Sequence, residues 1–324
     1  MSGPAAEAEA VVVSAPAKLT VSLRVTGARP DGYHLLRSEM VSVDMADTLS
    51  IAQSSGASSA GAVALTLAPD PDAPGVAWDP RSISLGGDNL VARALVAVGR
   101  SASVHVVKRV PPGAGLGGGS ADAAAILRWA GCTDLAVAAS LGADVPFCLT
   151  GGRALVEGVG EKLTPLTYED RRFTLLLVPF GVDTAAVYRA WDRLAAGGGG
   201  SDPVSGSDGS DGSGGPDGSG GPGGSGGSGG PAGPGGSGGP GGSGGPGGPA
   251  NDLEEPALVV EPRLGLWRDE FHRLTGRRPQ LAGSGSTWFI EGSAEDLGLR
   301  NGQLLQVGGE TGVLLSVRTA PPVV

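Results

Sequence analysis

Only two cysteines, Cys132 and Cys148, occur in the 324 residues, and they form no CxxC pair. That argues against a disulfide framework or a thiolate metal site and leaves two reduced thiols in apolar settings. Basic charge is also scarce: 23 Lys and Arg stand against 33 Asp and Glu, a net charge of −10. Non-specific nucleic-acid binding needs a basic face to neutralise phosphates, so this balance speaks against it. No apolar run is long enough to cross a membrane, and residues 1–10 are small and acidic, without the basic start and apolar core of an export signal. The expectation is a cytoplasmic protein, monomer or homodimer, whose partner is a small molecule. Two common nucleotide-binding arrangements are missing as well. No Gly-Lys-Ser/Thr ends a Walker loop, and the order of elements lacks the alternating parallel βαβ unit in which the dinucleotide fingerprint works.

What is present is a different glycine-rich loop. Pro111-Pro112-Gly113-Ala114-Gly115-Leu116-Gly117-Gly118-Gly119-Ser120 runs straight into Ala121-Asp122-Ala123-Ala124-Ala125-Ile126-Leu127. Glycines let backbone N–H groups turn inward, and the following helix adds unpaired donors and the positive end of its dipole, a setting suited to a polyphosphate. Ser120 is expected to cap that helix or face a phosphate. Lys18, Lys108 and Arg109 are the cations available to meet an anion locally.

About half of the 60 glycines fall between Gly197 and Gly248, in Gly-Gly-Ser and Gly-Gly-Pro repeats with almost no large apolar side chain. Such a segment cannot bury enough surface to offset its ordering entropy, and a disordered insertion is expected at 197–250. The remaining residues suffice for two α+β domains, at 1–165 and 166–324. Strands are expected over Val11 to Val25, Ser38 to Val43, Thr48 to Gln53, Ala62 to Leu67 and Val104 to Val110, with a helix over Asn89 to Ala97 capped by Asp88 or Asn89. Further on, strands are expected at Phe173 to Pro179, Trp288 to Ile290 and Gly312 to Val317, and helices at Ala136 to Leu141, Ala185 to Leu194 and Leu264 to Leu274. This order is α+β rather than an alternating parallel sheet.

Taken in order, Pro16-Ala17-Lys18, the loop from Pro111 to Ser120 and Gly283-Ser284-Gly285 resemble the marks of the kinase superfamily named for galactokinase, homoserine kinase, mevalonate kinase and phosphomevalonate kinase, the GHMP kinases. Further segments resemble one family within it, the 4-diphosphocytidyl-2-C-methyl-D-erythritol kinases. These are Arg29-Pro30-Asp31-Gly32-Tyr33-His34, Asp88-Asn89-Leu90, Lys108-Arg109-Val110-Pro111, Gly142-Ala143-Asp144-Val145-Pro146-Phe147, Glu157-Gly158-Val159-Gly160-Glu161 and Asn251-Asp252-Leu253-Glu254.

The resemblance implies an α+β, two-domain GHMP kinase fold, with an N-terminal ribosomal-protein-S5-like nucleotide domain and a C-terminal ferredoxin-like α/β sandwich. It implies phosphoryl transfer from ATP, with Mg2+, to the 2-hydroxyl of the cytidyl-linked methylerythritol in the non-mevalonate isoprenoid pathway. Lys18 and Asp144 match the catalytic pair; Asn89 and the stretch Pro111, Pro112, Gly113, Ala114, Gly115, Leu116, Gly117, Gly118, Gly119, Ser120 and Ala121 match the ATP site. Thr20, Tyr33, His34 and Tyr188 match acceptor-site positions, Tyr33 and His34 against cytosine and Tyr188 as a second stacking ring. The family usually carries Asn where this chain has Thr20, and a longer helical connection than Trp129 to Asp134. Another small-molecule kinase of the superfamily, or a catalytically silent nucleotide-binding paralogue, stays open as an alternative.

Overall fold

The computed structural model describes residues 10–53, 63–73, 79–197 and 250–323. Most of the glycine-rich stretch expected as an insertion, 198–249, lies outside them. The chain opens with a long antiparallel hairpin, β1 (Val11–Ala28) and β2 (His34–Gln53), paired from Val11↔Ile51 to Ala28↔His34. The turn between them closes where the Arg29 N–H donates to the Tyr33 carbonyl (2.7 Å). Gly32, at φ +88°, supplies a backbone conformation that side chains disfavour.

The two strands expected at 38–43 and 48–53 are one. Since β1 occupies one edge of β2 throughout, the other edge serves two partners in turn: β5 (Arg153–Gly158) along 36–41 and β4 (Ala102–Lys108) along 48–53. Asp44 and Asp47 interrupt the apolar pattern between the two expected segments, yet Asp47 is fully buried and hydrogen-bonded within the strand's span. β3 (Val63–Pro69) adds to β4 in parallel, and β6 (Lys162–Pro165) adds to β5, completing six strands.

Four helices cover one face of this sheet: α1 (Leu90–Ala97), α2 (Gly118–Trp129), α3 (Leu135–Leu141) and α4 (Val145–Thr150). α2 is central. Ala121 and Ala123 to Leu127 are all buried, and the run of small alanines lets the helix lie close against Ala15, Leu49 and neighbouring helices. Past the register slip between Pro16 and Lys18, Ala17 and Leu19 join Val41 and Val43 on the opposite face.

There they meet a second sheet of order β10-β11-β7-β9-β8, every pair antiparallel: β7 (Arg172–Leu177), β8 (Gln280–Leu281), β9 (Trp288–Glu291), β10 (Leu304–Val307) and β11 (Glu310–Arg318). Phe173, Leu175, Phe289 and Val313 face the first sheet. Leu176, Trp288, Ile290 and Leu314 face the other way, onto α5 (Thr184–Gly197), α6 (Glu254–Val260) and α7 (Arg263–Thr275) with Trp267 and Phe271. The layers therefore run helices, sheet, sheet, helices. Three isolated bridges tie the sequence's later part back onto the first sheet region: Leu23↔Asn251, Val43↔Thr319 and Gly151↔Pro322.

Candidate active site

Lys18 is placed by a bulge. The β1–β2 register slips between Pro16 and Lys18, where proline offers no N–H to the ladder, and a bulge of this kind re-aims the side chain that follows. The Lys18 N–H donates to the Leu116 carbonyl of the glycine loop (3.0 Å). Its ammonium donates to Thr20 Oγ1 (3.1 Å) and lies 3.3 Å from Asp144 Oδ2. Asp144 precedes α4 as its N-cap residue, but its side chain makes no capping bond, so the carboxylate is free to face Lys18. The lysine side chain is 7% exposed and the aspartate 31%: one charge is held in the wall, the other reaches into open space.

The glycine loop is clamped from both sides. A Cβ on Gly117 would stand 2.7 Å from Lys18 Cγ, and one on Gly115 would stand 2.5 Å from the Ala282 carbonyl oxygen. Gly113, Gly115 and Gly117 all have φ near +70°. The Thr287 N–H donates to the Ala114 carbonyl (3.2 Å) and the Val182 N–H to the Gly113 carbonyl (3.3 Å). The loop thus sits between the Lys18 strand and the glycine-rich turn at 282–287. α2 begins at Gly118 with Gly117 as its N-cap, in the left-handed conformation and without a side-chain cap. The expected capping by Ser120 is therefore wrong: the glycine turn starts the helix before Ser120, which lies inside the first turn and lines the cavity.

That cavity measures about 620 Å³. Its wall includes the apolar side chains of Leu67, Ile83, Leu90, Val91, Val110 and Pro111. The loop from Pro111 to Ser120, with Lys18 and Asp144, lines the cavity as well, as do Thr20, Leu23, Leu36, Met40, Tyr188 and Leu253. Asn89 also lines the cavity, but both ends of its side chain are engaged: Oδ1 caps α1 by accepting from the Val91 N–H (2.8 Å) and Nδ2 donates to the Ser84 carbonyl (2.7 Å). Ala121, at 1% exposure, is buried beneath the helix and does not reach the wall.

The remaining acceptor-site residues divide. His34 stacks on Tyr188 (centroids 4.8 Å apart), meets Trp191 edge-on at 5.2 Å, and its Nε2 lies 2.7 Å from Asp192 Oδ1. Burial and the nearby Asp144 carboxylate push the Tyr188 phenol above its ordinary pKa. Tyr33 is 64% exposed and its ring lies 5.9 Å from the Arg29 guanidinium; of these aromatic residues Tyr188 lines the cavity, while Tyr33 and His34 do not.

Lys108 is not free to meet an anion. It is 4% exposed, and its ammonium donates to Asp47 and to Asp122 Oδ2 (2.7 Å). Burial opposes its charge, yet the two carboxylates outweigh that and raise its pKa. Arg109 leans out toward Asp70 (3.7 Å) and does not line the cavity, whereas Lys108 lines it with its ammonium already engaged. Among the expected cations only Lys18 stands in the chemistry.

Residues 89–152 match the family model of the GHMP kinases N terminal domain. A 4-(cytidine 5′-diphospho)-2C-methyl-D-erythritol kinase of known crystal structure superimposes with a TM-score of 0.57 and 25% identity, covering 96% of this chain and all of that one. Its fold is that of the GHMP kinases. The chain is also 42% identical over 194 residues to the 4-diphosphocytidyl-2-C-methyl-D-erythritol kinase of Polaromonas sp. and 43% identical over 181 residues to that of Paracoccus denitrificans. These alignments take in 55% and 56% of this chain, and the chain spans 60% of the length of each of these curated relatives.

On this GHMP kinase fold several residues in or near the cavity carry no sequence signal of their own. Thr184 Oγ1 lies 2.8 Å from Ser284 Oγ, linking α5 to the glycine-rich turn. Trp191 and Asp192 back His34 from one helical turn beyond Tyr188. Asp47 had no local signature, whereas Asp122, a lone charge inside a buried alanine run, could have been singled out. Among the described residues no three His, Cys, Asp or Glu side chains converge to hold a metal ion. The chain offers no preformed protein cage for the expected Mg2+ among those residues.

Proposed function

We propose that this protein transfers the γ-phosphoryl group of ATP to the 2-hydroxyl of 4-diphosphocytidyl-2-C-methyl-D-erythritol, giving the 2-phosphate and ADP in the non-mevalonate isoprenoid pathway. One observation carries the reading: Lys18 and Asp144, paired at 3.3 Å, share a cavity wall with the glycine loop. Phosphoryl transfer asks a protein mainly for alignment and charge stabilisation. ATP would lay its base against the apolar wall residues beside Asn89 and its phosphates on the N–H groups between Gly113 and Ser120. The acceptor would enter beside Thr20, with cytosine against His34 and Tyr188 and Tyr33 at the rim.

Asp144 would accept the hydroxyl proton as the new O–P bond forms and the bond to the β-phosphate oxygen breaks, releasing ADP. Lys18 would hold Asp144 in place and offset charge on the moving group. Magnesium, entering with ATP, and a cytoplasmic location belong to the same proposal, as does a division at 165/166. A coupled ADP-release assay tests it, comparing the cytidyl substrate with mevalonate, homoserine and galactose. Turnover with the cytidyl substrate alone is expected. ATP binding without turnover on any of them would overturn the reading.

A further inference from the structure

Beneath the glycine loop lies a cluster of three charges that phosphoryl transfer as described does not use. Asp47 from β2 is fully buried; its Oδ1 accepts the N–H groups of Arg109 (2.6 Å) and Val110 (2.8 Å), and its Oδ2 accepts from Lys108. The same ammonium bonds Asp122 Oδ2 on α2, and it lies 3.1 Å from where a Gly118 Cβ would be, under the first turn of that helix. Asp47, Lys108 and Asp122 thus fasten the strand before the loop to the helix after it. Lys108 and Asp122 both line the cavity.

Two features of the trio are unexplained by fastening alone. With both carboxylates ionised it carries one net negative charge, next to a site shaped for polyphosphate. And Asp122 Oδ1, buried, has no hydrogen-bond partner; an ionised buried oxygen without a partner is costly, whereas a protonated one sheds that charge. We propose that binding of a polyphosphate at the glycine loop draws a proton onto Asp122, so that nucleotide affinity is linked to pH through this residue. Added anionic charge at the helix start disfavours a second net negative charge a few ångströms away, and the carboxyl with the free oxygen is the one able to take the proton without losing its bond to Lys108.

The surroundings single out the same group. Burial, opposed by Lys108 and reinforced by Asp47, pushes the Asp122 carboxyl up to about 7. From α4, Cys148 is the titratable neighbour, and burial together with Asp144 pushes its thiol up to about 12, so it stays neutral. From β1 the charge is Lys18, engaged with Asp144 and Thr20. Near α1 and α3, Arg93 donates to the Ser140 carbonyl and Asp134 caps Ala136; on α2 itself Arg128 donates to the Cys148 carbonyl. Lys108 and Asp47 are left as the charges that act on Asp122.

This inference rests on the nucleotide reading of the loop but not on the identity of the acceptor. The test is titration calorimetry of the full chain with ATP at about pH 8, in two buffers of different ionisation enthalpy, for the wild type and Asp122→Asn. The wild type is expected to take up about half a proton or more per ATP beyond that taken up by Asp122→Asn, in which the ionisation is removed and the Lys108–Asp47 pair kept. As a second reading, the wild-type KM for ATP should rise by up to about tenfold per pH unit above 7 while that of Asp122→Asn stays flat. ATP binding with equal proton uptake in both proteins, or with none, would overturn the inference and leave the kinase reading standing. Linked uptake without turnover on the cytidyl substrate would do the reverse. Failure of ATP to bind at all would overturn both.

Discussion

Replacing Gly117 with alanine should separate the cost of a strained backbone from the cost of a displaced lysine. Gly117 sits at φ +68°, where an L side chain costs roughly 1–2 kcal/mol. Its new Cβ would also meet Lys18 Cγ at 2.7 Å and Cε at 3.1 Å. Ordinary carbon contact begins near 3.4 Å, so the lysine stem must retreat by roughly 0.7 Å, and it cannot do so without moving the ammonium relative to Asp144. A misplacement of about 1 Å at reacting groups costs on the order of 10²-fold in rate. Gly131 supplies the control: it has φ +74°, nothing within 4 Å of the point where a Cβ would stand, and a place beyond α2 away from the cavity. Both variants should lose a few degrees of melting temperature, but only Gly117→Ala should lose about a hundredfold in kcat for ADP formation. Equal turnover in the two, at equal loss of stability, would refute the claim that this glycine exists to admit Lys18.

Other outcomes follow from the same geometry. Asp144→Asn should lower kcat by roughly 10²–10⁴-fold while ATP still binds, measured by ADP release beside nucleotide titration. Tyr188→Ala removes the ring against His34 and should raise KM for the cytidyl acceptor about tenfold, with KM for ATP unaffected. The raised Asp122 pKa also sets a stability profile. Between about pH 4 and 7 the folded chain keeps a proton that the unfolded chain has released, so stability should fall as pH rises through that window and level off above it. Lys108, held above its ordinary value, adds stability across the whole window and loses it only in alkali. Denaturant midpoints from about pH 4.5 to 8.5 should show the decline in the wild type and a flat profile in Asp122→Asn. Replacing residues 197–248 with a short linker should leave turnover intact in the ADP-release assay.

Much of the site was legible because it is local. The glycine loop, Lys18 and Asp144 each lie in a short run that stands out by its residue types, and the structure brings them together. The helices α1, α5 and α7 announced themselves by apolar spacing. What was not legible is what needs a partner far along the chain. β2 looked like two strands because nothing in its sequence says that β4 and β5 take successive halves of one edge. Lys108 looked available because its two carboxylates come from positions 61 residues before and 14 after it. Short elements such as α4 and β10 are fixed by packing rather than by periodicity, and a Pro at the start of α4 reads equally well as a turn.

β2 has an evolutionary consequence. A single strand carries His34 toward the aromatic group, Met40 into the cavity wall and Asp47 into the buried trio, while its whole length fixes the register of β1. Because side chains alternate, one inserted or deleted residue would turn everything beyond it to the opposite face. Such a lineage would lose the aromatic stack or the trio in a single step, with no intermediate that keeps both. β2 therefore tolerates substitution far better than an uncompensated change of length.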